Sequence, residues 1–148
     1  TMIKCFLINN VENEFVPKSN DFKEWLTSFE YKEQAEINIK IVTPEEMRNF
    51  NKLYKNEDKV SDTLAFPFEN FTIEDKVILG DIAMCANKIN IDSDLYSKKK
   101  IDRWAHLTIH SVLHILGYTH ENTNNRKQME NKEIDILKKF NIFNPYEI

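Results

Sequence analysis

All four histidines of the chain lie within the stretch His106-Leu-Thr-Ile-His110-Ser-Val-Leu-His114-Ile-Leu-Gly117-Tyr-Thr-His120. On a helix, His110 and His114 stand one turn apart on the same face, where two imidazoles can grip one ion. Gly117 permits a left-handed residue that ends the helix and turns the chain. That turn would swing His120 back as a third ligand. Three neutral histidine nitrogens leave the fourth position of a tetrahedral zinc to water, the catalytic rather than the structural arrangement. The competing reading is a run of core histidines, but each imidazole in an apolar helix would then need its own hydrogen-bond partner. His106 lies one turn before His110 and could compete as its pair. The pair His110 and His114 is preferred, because only it places Gly117 and His120 correctly. His106 is then left to support a ligand or to pack in the core.

The spacing His-x3-His-x2-Gly-x2-His is shared with the metzincin metallopeptidases, with one part missing. Those enzymes carry Glu directly after the first ligand, as general base. Here that position is Ser111, which cannot take a proton from a metal-bound water in the same way. The metal site reads as zincin-like, while the peptidase chemistry does not.

A second motif stands upstream: Asn51-x2-Tyr54-Lys55-x2-Asp58-x2-Ser61-Asp62-Thr63-Leu64-Ala65-Phe66-Pro67. Together the two stretches resemble the signatures of the YbeY family, bacterial rRNA maturation factors described as metal-dependent endoribonucleases. The first family signature runs His-Gly-x-Leu-His-Leu-x-Gly-Tyr-Asp-His, so Ser111 replaces Gly and Thr119 replaces Asp, with no ligand touched. The second runs Asn-x2-Tyr-Arg-x2-Asp-x2-Thr-Asp-Val-Leu-Ser-Phe-Pro, so Lys55 stands where the family has Arg. Arg engages a phosphate through two parallel bonds, whereas Lys offers a point charge. Lys55 is either a phosphate contact or an ordinary surface lysine. Leu79-Gly80-Asp81-Ile82 resembles a further family strand. Asp81 is a short carboxylate in an apolar run; it either bonds a ligand histidine, orients substrate, or bonds backbone amides.

The elements that would position these groups can be read from periodicity and caps. Ile3 to Ile8 is an apolar run of strand length. Phe22, Trp25, Leu26 and Phe29 fall on one helical face behind a cap at Asn20 or Asp21. Ile37, Ile39 and Ile41 alternate with polar residues, as in a half-buried strand. Thr43-Pro44-Glu45-Glu46 opens a helix to about Tyr54 with an N-cap, a first-turn proline and a capping box. Thr63 to Phe66 and Val77 to Cys85 read as strands, joined by a polar connection from Asn70 to Lys76. Asn87 to Asp94 reads as loop. The histidine helix should run from near Ser97 to Leu116. A last amphipathic helix carries Met129, Ile134, Ile136, Leu137 and Phe140, and Asn141 to Ile148 is a tail.

This order predicts one α+β domain over residues 1–148, with Met2 as the native start after Thr1. The resemblance implies a four-stranded mixed sheet flanked by helices, with the metal in a cleft beside the sheet edge. Hydrophobic residues make up 41% and charged residues 30%, ordinary for a soluble domain. No apolar run approaches the ~20 residues that cross a bilayer. The net charge of −4 argues against bulk nucleic-acid binding but leaves room for a local basic surface. Lys98, Lys99, Lys100 and Arg103 form the strongest such cluster, leading into the metal site. Cys5 and Cys85 sit in apolar runs and read as reduced core thiols of a cytoplasmic protein.

The resemblance implies a single-strand endoribonuclease in rRNA processing, including maturation of the 16S rRNA 3′ end. Its partners would be rRNA and the small ribosomal subunit, with no membrane and no DNA. One zinc ion on His110, His114 and His120 plus water is expected, although three-histidine sites also accept nickel, cobalt or copper. Such an ion acts as a Lewis acid and activates water; the attacking group is either that water or the 2′-hydroxyl. Lys55 and Arg103 are the candidates for stabilising charge in the transition state, and Asp81 joins them as a candidate catalytic residue. The alternatives are a zincin-like metallopeptidase or other zinc hydrolase, and a non-catalytic module stapled by metal.

Overall fold

The computed structural model describes residues 2–147 of the chain. They form a single α+β domain built on one mixed sheet. Strand β1 (Ile3–Asn9) pairs in parallel with β2 (Ala35–Val42), and β2 pairs in parallel with β5 (Lys76–Cys85). β5 pairs antiparallel with β3 (Thr63–Pro67), which closes the order β1-β2-β5-β3. A fifth strand, β4 (Thr72–Ile73), adds two residues to β5 inside the segment expected as a plain connection.

The sheet has two unequal faces because strand side chains alternate. Ile37, Ile39 and Ile41 of β2 are fully buried on one face. Against it pack helices α1 (Ser19–Leu26), α3 (Ala86–Leu95), α4 (Lys100–Ile115) and α5 (Thr123–Lys138), forming the main core. The other face is covered only in part, by α2 (Pro44–Lys55), through Met47 against Val42, Ala83 and Cys85. Helix α2 begins as its sequence requires. The Thr43 hydroxyl accepts the Glu46 amide, and the Glu46 carboxylate accepts the Thr43 amide. These bonds satisfy donors that a helix start otherwise leaves bare.

Helix α3 corrects the loop expected at Asn87 to Asp94. Its Asn and Asp residues are poor helix formers, yet Ala86, Ile89, Asn90 and Ser93 are buried at helical spacing. Tertiary bonds hold it there: the Trp104 indole donates to Asn90 Oδ1 at 2.8 Å, and Asn90 Nδ2 donates to the Phe15 carbonyl at 2.9 Å. Helix α4 starts at Lys100 rather than Ser97. Ser97 has φ +54, a left-handed residue that terminates α3 while the Lys98 amide bonds the Ser93 carbonyl at 2.8 Å.

Helix α4 lies against the sheet because Gly80 lets it. A Cβ on Gly80 would come within 2.5 Å of Ile115 Cδ1 and 2.5 Å of the Phe66 carbonyl oxygen. The lack of a side chain in mid-strand thus fixes how closely the C-terminal turn of α4, with His114, approaches β3 and β5.

Candidate metal centre

At the C-terminal end of α4, the chain turns as the sequence predicts. The Gly117 amide bonds the His114 carbonyl and the Tyr118 amide bonds the Leu113 carbonyl, each at 3.0 Å. With Gly117 at φ +106, this is a Schellman turn. It brings His120 back over the helix. The Nε2 atoms of His110, His114 and His120 form a triangle with edges of 3.1, 3.0 and 3.4 Å. Nitrogens bound tetrahedrally to zinc at 2.0–2.1 Å lie about 3.3 Å apart, so the donor set fits one small divalent ion.

The opposite nitrogens explain why the Nε2 lone pairs of His110 and His114 face the gap. His110 Nδ1 lies 2.7 Å from Glu133 Oε1, and His114 Nδ1 lies 3.1 Å from the Tyr118 carbonyl. Each Nδ1 must carry the proton to make its bond, which leaves Nε2 bare. Burial, reinforced by the neighbouring His110 and His120 rings, pushes the His114 imidazolium pKa down to about 4. The ring is therefore neutral near pH 7, as a metal ligand must be.

Glu133 of α5 is completely buried and is the hub of this support. Its Oε2 accepts His106 Nε2 at 2.8 Å and the Tyr146 hydroxyl at 2.5 Å. Burial alone would raise the carboxyl pKa. Hydrogen bonds from His106, His110 and Tyr146 outweigh it and bring the group down to about 2. His106 is itself held below its ordinary pKa, first by burial. A neutral imidazole donating to a carboxylate accounts for both directions. The Arg103 guanidinium, 3.4 Å from His106 Nδ1, takes up the remaining ring nitrogen.

The histidines open into a cleft of about 580 Å³ between α4, β3 and the Tyr118–His120 turn, within the size range of small-molecule sites. Lys55 and Arg103 line it, together with Asp62 and Tyr146. Arg103 is anchored to Asp62, Nη2 to Oδ2, at 3.1 Å. Asp81 does not line this cleft, so of its three alternatives the bond to a ligand histidine is not made, and its place as a catalytic residue beside the histidines is corrected. Gly80 and Ile82 face the helices, so alternation turns Asp81 to the other side of the sheet. There it accepts Asn38 Nδ2 at 3.0 Å across the β2–β5 pair.

The sequence motifs mark neither Glu133 nor Tyr146. A signal for Glu133 existed: it follows Met129 by four and precedes Ile136 and Leu137 by three and four, on the buried stripe of α5. Hydrophobicity alone puts Ile134 with Met129, Ile136 and Leu137 on that stripe, but Ile134 is only half-buried. Tyr146 lies in an irregular tail where no periodicity marks it.

A mixed sheet backed by a buried helix that carries His110 and His114, with His120 returned by a glycine turn, defines an α+β domain with a zincin-like group of three imidazoles that could hold a metal. A family model described as Endoribonuclease YbeY matches residues 8–141. The chain belongs to that family. It is 40% identical over 144 residues to Endoribonuclease YbeY of Buchnera aphidicola subsp. Cinara cedri, covering 94% of this chain and 92% of that protein. It is 32% identical over 137 residues to the protein of the same name from Psychromonas ingrahamii, covering 88% and 87%. Its fold is similar to the solution structure of TM1509 from Thermotoga maritima, with a TM-score of 0.58, 19% identity and coverage of 95% and 92%.

Proposed function

We propose that this chain is a zinc-dependent endoribonuclease of single-stranded RNA that acts in rRNA processing, including the 16S 3′ end, alongside the small ribosomal subunit in the cytoplasm. The observation that carries the reading is the triangle of Nε2 atoms on His110, His114 and His120, each edge no longer than 3.4 Å, in a family whose relatives bear the name endoribonuclease. These three residues hold the ion. When bound, it supplies a Lewis acid for a phosphoryl oxygen and lowers the pKa of coordinated water.

The remaining work falls to the chain. Glu133 places a buried negative charge behind His110, which fixes the ring and strengthens it as a donor. Tyr118 does the same for His114 through its carbonyl. Lys55 offers a cation to the phosphate, and Arg103, steadied by Asp62, presents a second on the same cleft wall. No helix among the described residues is long and apolar enough to cross a membrane.

The peptidase alternative lacks a base. Ser111 occupies the position after the first ligand, and its buried hydroxyl meets no hydrogen-bond partner among the described residues. Glu133, the nearby carboxylate, is already saturated by three donors. The test is cleavage of a single-stranded rRNA precursor fragment by metal-loaded protein. Cutting abolished by a chelator and by His114→Ala is expected. RNA left intact beside chelator-sensitive digestion of casein would replace this reading with the peptidase.

A further inference from the structure

Beyond the histidine cleft, the N-terminal half of α4 and the C-terminal tail meet at a small hollow. Lys98, Lys99, Arg103, Phe143 and Pro145 line it, with Asp102 as its one carboxylate. Arg103 and His106 belong to the walls of both hollow and cleft, so the two adjoin. Lys98 and Lys99 are exposed, and among the described residues neither pairs with a carboxylate, in contrast to Lys100, which is bound to Asp94 at 2.7 Å.

Phe143 is 85% exposed, more than any other large apolar side chain among the described residues. It is not on a loose end. The Ile142 amide bonds the Leu137 carbonyl at 3.1 Å and its side chain packs on the main core. Three residues beyond Phe143, Tyr146 is tied to Glu133. The chain is fastened on both sides of a bare ring. A single exposed hydrophobe is unremarkable in itself. A ring held in water beside two unpaired lysines, on the rim of a cleft that takes a charged polymer, has a chemical use.

We infer that Lys98, Lys99 and Phe143 form a second binding site for single-stranded RNA, which holds nucleotides flanking those in the histidine cleft. The lysines take phosphates, and the ring stacks a base, the usual combination for single strands without sequence preference. Lys99, Arg103, His106, His110 and His114 follow one another at helical spacings of three or four. The stripe runs about 16 Å along the axis from Lys99 to His110, so the strand would lie along α4. The inference rests on the RNA reading of the cleft.

The test is fluorescence anisotropy with fluorescein-labelled 2′-O-methyl oligouridylates of about 4 and about 12 nucleotides, on the metal-loaded full chain. Phe143→Ala should weaken the longer strand roughly 5- to 150-fold and leave the shorter within twofold, while Phe143→Tyr restores binding. Lys98→Ala with Lys99→Ala should lower the slope of log K against log salt by about 1.4 for the longer strand, from about 0.7 per lost phosphate contact. Long-strand binding unchanged by these substitutions, or both lengths weakened alike, overturns the second site and leaves the cleft reading intact. Failure of the unaltered chain to bind either strand overturns both.

Discussion

Glu133 grips His110 from behind: its Oε1 lies 2.7 Å from Nδ1, while the same ring's Nε2 joins the imidazole triangle on the far side. A carboxylate with no exposed surface is thus the point from which the first candidate ligand is aimed. Its second oxygen serves His106 and Tyr146, so helix α4, helix α5 and the tail converge on one group.

Glu133→Gln keeps the size and removes the charge. An amide cannot accept from three donors as the carboxylate does. Metal affinity should fall 10- to 100-fold, read by competition with a chromophoric chelator, with the far-ultraviolet circular dichroism unchanged. Affinity equal to that of the unaltered chain would show that His110 is aimed by something else.

Gly80→Ala tests the closeness of α4 to the sheet. The new methyl would meet Ile115 Cδ1 and the Phe66 carbonyl at 2.5 Å. One of these is backbone and cannot step aside. Overpacking of this kind costs about 1–3 kcal/mol, on the order of 3–10 °C in Tm for a chain of this size. A melting point unchanged within a degree would contradict the packing described.

The two thiols make a pH prediction. Burial raises the Cys5 pKa to about 11, against a smaller opposing pull from Lys23, and burial likewise raises Cys85. Both should resist iodoacetamide at pH 8 until the protein unfolds. A thiol whose pKa is raised by folding contributes stability that is complete below its unfolded value, about 8.5. That contribution is lost as pH climbs towards 11, so a Cys5→Ala variant should lose less stability than the unaltered chain over this window. Equal losses from pH 8 to 11, by urea unfolding, would count against it.

Lys55 stands where the family motif has Arg, and it lines the histidine cleft. Lys55→Ala should lower kcat/KM for single-stranded RNA roughly 10- to 100-fold, as loss of a charge at the phosphate would. Lys55→Arg should retain or exceed the original activity, because a guanidinium can bond two phosphate oxygens. Full activity in Lys55→Ala would make the residue an ordinary surface cation.

The parts of this molecule visible in the sequence are those written in local code. The His110, His114, Gly117 and His120 spacing encodes a helical pair and a turn, and Thr43 with Glu46 encodes a helix start; neither depends on distant contacts. The face to which Asp81 points follows from a strand register that a short apolar run does not declare. Helix α3 rests on Trp104 reaching Asn90 from another helix, and Glu133 acquires its meaning only when α5 packs on α4. Long-range contacts account for each difference.

His110, His114 and His120 are expected to hold one ion. Elemental analysis of untagged protein, with X-ray absorption at the edge of the metal found, tests it most directly. About one divalent ion per chain is expected, with a shell containing three imidazole nitrogens at about 2.0–2.1 Å, and less than a tenth of that content in His114→Ala. A full equivalent of metal retained by His114→Ala, or a shell without imidazole, would contradict it.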